Sequence, residues 1–114
     1  MDREKKRKLV EAYLDQKKIG GIIAVQNTRT GKKLIISTPD IQGYRNRFAF
    51  SQQTGSAVHV KLRDDWKKLG GTAFSLVVVE TLEKKPDQSD KEFSKDIQSL
   101  LELWMEKQKH EIFY

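Results

Sequence analysis

Two short apolar runs joined by a turn constrain this chain more than any other feature. Ile22 to Gln26 (IIAVQ) and Lys33 to Ser37 (KLIIS) flank Asn27-Thr28-Arg29-Thr30-Gly31. Such a pair predicts a hairpin, with Gly31 in the left-handed position that closes the turn. Phe74 to Glu80 (FSLVVVE) lacks alternation and reads as a strand buried on both faces. The three strands predict a small antiparallel sheet. Its central strand needs apolar neighbours on both sides, so helices must cover both faces.

The helices are marked by caps and spacing. Asp2 can cap a first helix to about Gln16, with Leu9, Val10, Tyr13 and Leu14 as its stripe and Gly20-Gly21 as its stop. Ser37 or Thr38 can cap a second, with Pro39 in its first turn and Asp40 near its positive end. Ile41, Tyr44 and Phe48 share one face, and Gln52 to Gly55 reads as a loop. A third helix carries Val58, Leu62, Trp66 and Leu69 and stops at Gly70-Gly71. Lys84 to Gln88 is a polar linker. Ser89 to Glu92 forms a capping box for a last helix with Phe93, Ile97, Leu100, Leu101, Trp104 and Met105 as its core stripe.

The 114 residues suit one domain: a helix over 1–19, a core over 20–108 and a tail over 109–114. There is no cysteine and there are two histidines, which excludes disulfides and argues against a histidine-rich metal site. No apolar run is long enough to span a bilayer and the N-terminus has no signal-peptide core, so a cytoplasmic protein is expected. Of the net charge of +6, residues 1–79 hold 16 of 22 basic and 7 of 16 acidic groups. That asymmetry favours a polyanionic partner.

The stretch from Gly21 to Phe50 resembles the opening of a GIY-YIG nuclease domain. Gly21-Ile22 matches its start, and Asn27 to Gly31-Lys32 matches its hairpin. Lys61-Leu62-Arg63-Asp64-Asp65-Trp66, then Leu69-Gly70 and Ala73-Phe74, match its middle helix and third strand. Leu101-Glu102-Leu103-Trp104-Met105 is similar to its Glu-x-x-Trp-Ile. The match covers about residues 20–108 and implies a three-stranded antiparallel α/β fold flanked by helices.

The resemblance also implies that the catalytic groups are gone. The family's two tyrosines fall on Ile23 and Leu34, its arginine on Tyr44, a histidine on Phe48 and its metal-binding glutamate on Leu101. Isoleucine and leucine cannot help activate water, Tyr44 lacks a cationic fork, and Leu101 has no oxygen for a cation. No catalytic residue, metal or cofactor is therefore assigned. The expected function is a non-catalytic nucleic-acid-binding or transcription-regulatory module, as similar bacterial domains are labelled, with DNA favoured over RNA. No separate helix-turn-helix reader is present.

One alternative is an active metal-dependent endonuclease whose groups moved by one residue, to Arg45 and Glu102. Another is a protein-interaction or structural module. The nucleic-acid surface is expected at Arg29, Lys32, Lys33, Arg45, Arg47, Lys61, Arg63, Lys67 and Lys68, joined by Arg3, Lys5, Lys6, Arg7 and Lys8 as an arm. His59 reads as an exposed helix residue, Asp64-Asp65 as a solvated face with helix ion pairs, and Trp66 and Trp104 as packing residues. Tyr44 can stack on a base or bond a phosphate if it is not buried. Phe113-Tyr114 can pack on the body, dock a partner or fray.

Overall fold

The computed structural model describes residues 18–108 and 113–114. The helix expected up to about Gln16 lies outside them. The described elements are strand β1 (Ile19–Asn27), strand β2 (Lys33–Thr38), helix α1 (Ile41–Thr54), helix α2 (Arg63–Leu69), strand β3 (Phe74–Glu83) and helix α3 (Asp90–Glu106). Single 3-10 turns, Val60–Leu62 and Gly71–Ala73, flank α2. The strands form one antiparallel sheet in the order β2-β1-β3. The mixed α/β architecture with a small three-stranded sheet is as the sequence predicts.

Strand β1, not FSLVVVE, is central. It pairs on both sides, and every residue but Gln26 is buried. β3 is an edge strand with Val77 45% exposed, which corrects the reading of it as buried on both faces. An apolar run shows that a strand suits burial, not which strand has two neighbours. β3 also runs on to Glu83, with a bulge opposite Ile22 and Ile23.

Alternate residues of β1 serve two cores. Ile19, Ile23 and Val25 join Leu34, Ile41, Tyr44, Phe48, Leu62, Trp66 and Phe74 in the main cluster, beneath α1 and α2. Ile22 and Ala24 face the other way, where Phe93 and Ile97 of α3 are buried. The helices therefore cover both faces of the sheet.

Gly20-Gly21 does not stop a helix. Both residues lie in β1, where layers approach too closely for a side chain. A Cβ on Gly20 would come within 2.6 Å of Ile97 Cδ1 and of the Thr38 carbonyl oxygen. Gly21 has φ +144°, and a Cβ there would overlap the Glu80 carbonyl oxygen.

Helix α1 is capped by Asp40, whose Oδ1 accepts from Gly43 N at 2.9 Å. Thr38 acts one step earlier, with Oγ1 accepting from Asp40 N at 3.1 Å, so neither Ser37 nor Thr38 is the cap itself. The helix runs through the expected loop to Thr54. Gln52 Nε2 donates to the carbonyls of Gly71 and Phe74, both at 3.0 Å, and this holds the last turn against the start of β3. The middle helix begins later than its apolar spacing implies. Val58 precedes it, and His59 caps the 3-10 turn through Nδ1, which accepts from Lys61 N at 3.1 Å.

Ser89 caps α3 as expected, accepting from Glu92 N at 3.1 Å. Phe93 and Ile97 are buried, but Leu100, Leu101 and Trp104 are half-buried and Met105 is exposed. The expected stripe thus weakens towards the C-terminal end, where the helix has passed β1 and lies by the β2 edge.

Candidate nucleic-acid interface

Four positions singled out by the resemblance lie in one apolar core. Ile23, Leu34, Tyr44 and Phe48 are between 0% and 8% exposed and belong to the main cluster. The strand register puts Ile23 and Leu34 on the sheet face that α1 covers. Tyr44 and Phe48, one turn apart on α1, close over that face. Trp66 stacks on Phe74 at 4.7 Å and meets Phe48 edge-on at 6.0 Å, so Trp66 is a packing residue as expected.

The Tyr44 hydroxyl is buried with no hydrogen-bond partner among the described residues. Burial raises its pKa, and the Arg47 cation, 4.9 Å from the ring centroid, partly opposes the rise. A buried unsatisfied hydroxyl costs about 1–3 kcal/mol. Tyr44 is thus buried rather than offered to a base or phosphate.

The fifth position, Leu101, is not in that core. It is half-buried on α3 and lines a hollow of about 200 Å³ at the β2 edge with Leu34, Ile35, Lys61, Met105 and Tyr114. The residues of the shifted-site alternative also separate. Arg45 lines a hollow of about 230 Å³ with Phe48, Gln52 and Leu76, towards β3. Glu102 is exposed on α3, which covers the opposite sheet face. Among the described residues, no three His, Asp or Glu side chains are grouped to hold a metal ion.

At the β2 edge Phe113 and Tyr114 pack on the body. Phe113 pairs with Lys33 as a parallel bridge, and Tyr114 N donates to the Lys33 carbonyl at 2.9 Å. The Tyr114 hydroxyl donates to Asp65 Oδ2 at 2.7 Å and accepts from Asn27 Nδ2 at 2.9 Å. Its pKa is raised, mainly by burial, with the Asn27 bond opposing and Asp65 adding to the rise. Asn27 Oδ1 in turn accepts from Arg29 N at 2.9 Å and Thr30 N at 3.2 Å, shaping the turn. Asp65 therefore bonds the tail rather than lying on a purely solvated face. Sequence reasoning missed this network because its three members are far apart in the chain.

The expected basic residues fall into separate groups. Arg29 and Lys32 are exposed at the hairpin, with Lys32 Nζ 5.6 Å from the Tyr114 ring centroid. Lys33 is half-buried in β2, and Lys61 borders the β2-edge hollow. Arg45 faces the β3 side, and Arg47 covers Tyr44. Arg63 and Lys67 line an open cleft of about 720 Å³ between the segment after α1 and the Gly70-Gly71 corner. Lys68 is exposed on α2 outside that lining, and Arg3, Lys5, Lys6, Arg7 and Lys8 lie outside the described residues. His59, which caps rather than rides on the helix, lines the same cleft.

Two solved structures of the catalytic domain of the intron homing endonuclease I-TevI are similar to this chain. One, a point mutant, is 22% identical over 73% of this chain and 84% of that one, with a TM-score of 0.47. The other is 20% identical over 82% and 96%, with the same TM-score. No family model matches the chain, and no curated protein matches it. Among the described residues, no helix is long and apolar enough to cross a membrane.

Proposed function

We propose that this chain is a non-catalytic descendant of a GIY-YIG nuclease that acts in the cytoplasm as a nucleic-acid-binding or transcription-regulatory module, with DNA as the preferred partner. The observation that carries the proposal is the closure of Ile23, Leu34, Tyr44 and Phe48 into one apolar core. A metal ion and an attacking water need hard oxygen ligands and a proton acceptor, and aliphatic and aromatic packing supplies neither. The basic excess supports a polyanionic partner, because exposed Lys and Arg side chains exchange condensed counterions for phosphate contacts.

The test is a binding titration followed by fluorescence anisotropy, on labelled single- and double-stranded DNA and RNA over a range of salt. The reading predicts affinity that falls steeply as salt rises, with DNA bound at least as tightly as RNA. Absence of binding at low salt would end it.

A further inference from the structure

We infer that the cleft lined by His59, Arg63, Trp66 and Lys67 holds one nucleotide unit of a single-stranded nucleic acid, its phosphate on the cations and its base against the apolar groups. This deepens the proposed function and rests on it. At about 720 Å³ the cleft has the size of a small-molecule site.

The cleft lining carries two cations, Arg63 and Lys67. Arg63 and Lys67 are one helical turn apart on α2, and His59 is one turn before Arg63 in the chain. Neither Arg63 nor Lys67 has an ion-pair partner among the described residues. His59 accepts a backbone N–H at Nδ1, so the neutral ring carries its proton on Nε2, its one donor.

The same lining carries apolar groups. Val58 and the 65% exposed Val60 are among them. Trp66 lies at the cleft wall, 2% exposed, with its ring N–H unpartnered among the described residues beside the Gly71 backbone. Cations beside apolar surface, in one hollow, match the two halves of a nucleotide: an anionic phosphate and a flat, weakly polar base. A duplex offers no unstacked base to the apolar groups, so the site selects single strands.

The experiment compares the full chain with the pairs Arg63→Ala/Lys67→Ala and Arg29→Ala/Lys32→Ala. Both pairs remove two exposed cations, so the loss of charge is equal, and the amide spectrum of each variant checks that it is folded. The probe is a fluorescent oligothymidylate, with backbone amide shifts followed by NMR. The proposal predicts that the cleft pair weakens binding roughly tenfold or more and lowers the salt slope by about 1.4. The hairpin pair should cost less, and the oligonucleotide should shift the amides of Val58, Val60 and Gly71. Equal losses from the two pairs, or shifts elsewhere, would overturn the cleft assignment while leaving nucleic-acid binding intact. Failure of the unaltered chain to bind the oligothymidylate while it binds duplex DNA would overturn the single-strand assignment, and failure to bind either would overturn the functional reading beneath it.

Discussion

Tyr114 donates its hydroxyl proton to Asp65 Oδ2 at 2.7 Å while accepting from Asn27 Nδ2 at 2.9 Å. One side chain thus joins the tail, α2 and the start of the hairpin turn. Tyr114→Phe removes both bonds and leaves Asn27 and Asp65 less well satisfied. It should lower stability by about 1–2 kcal/mol, read from the urea midpoint. Hydrogen exchange at the Arg29 and Thr30 amides should quicken in the same variant.

The tyrosines also predict a response to alkali. Tyr44 and Tyr114 both hold their protons more tightly in the fold than in the unfolded chain, chiefly through burial. Their contribution is therefore complete below the ordinary tyrosine pKa and falls as pH rises through the raised values. Urea midpoints at about pH 9 and about pH 11 should differ, with the alkaline one lower. The drop should shrink in Tyr114→Phe, and an unchanged drop would show that Tyr114 takes no part.

Tyr44→Phe should act in the opposite direction from most core substitutions. It deletes a buried hydroxyl that has no partner among the described residues and keeps the ring. Stability should rise by about 1 kcal/mol. Tyr44→Arg, which restores the residue type implied by the nuclease resemblance, places a charge in the apolar core and should lower it by several kcal/mol. Chemical denaturation of the two variants checks both signs.

The sequence places the cap of α1 two or three residues early and that of α3 correctly, and the contrast shows what the sequence could reveal. Ser89 and Glu92 need only each other, so their pattern is legible from spacing. Ile41, Tyr44 and Phe48 are equally local, and their shared face is buried as expected. The rank of β1 over β3 depends on pairing across the sheet, which a run such as FSLVVVE does not encode. His59 carries no local sign that it caps a turn, and Asp65 none that it faces a tyrosine 49 residues away. The basic residues were legible as a set, but their division among the hairpin, the cleft and the β3 side follows from tertiary packing.

Asp90 ties the ends of the sheet to α3. Its Oδ1 meets Lys18 Nζ at 2.8 Å and Lys84 Nζ at 3.0 Å. The hydrogen bonds from Lys18 and Lys84 hold its pKa at about 2. A lowered carboxylate pKa gives stability that is present above the unfolded value and lost as pH falls through the folded one. A decline is therefore expected between about pH 4 and about pH 2, smaller in Asp90→Asn. The carboxylate is fully exposed, so added salt should blunt the effect.

Gly20→Ala tests the contact between the sheet and α3. The new methyl would meet Ile97 Cδ1 and the Thr38 carbonyl oxygen at 2.6 Å and Pro39 Cα at 2.8 Å. Ile97 can rotate, but the two backbone atoms cannot move away independently of the strand. A loss of about 1–3 kcal/mol is expected in thermal or urea unfolding.

Incubation of the full chain with labelled single-stranded and duplex DNA and RNA, at low salt with manganese or magnesium, tests most directly whether an apolar core has replaced the nuclease chemistry. The account predicts a retarded complex on a native gel and full-length nucleic acid on the denaturing gel run from the same tubes. Shortened products that depend on the metal would contradict it.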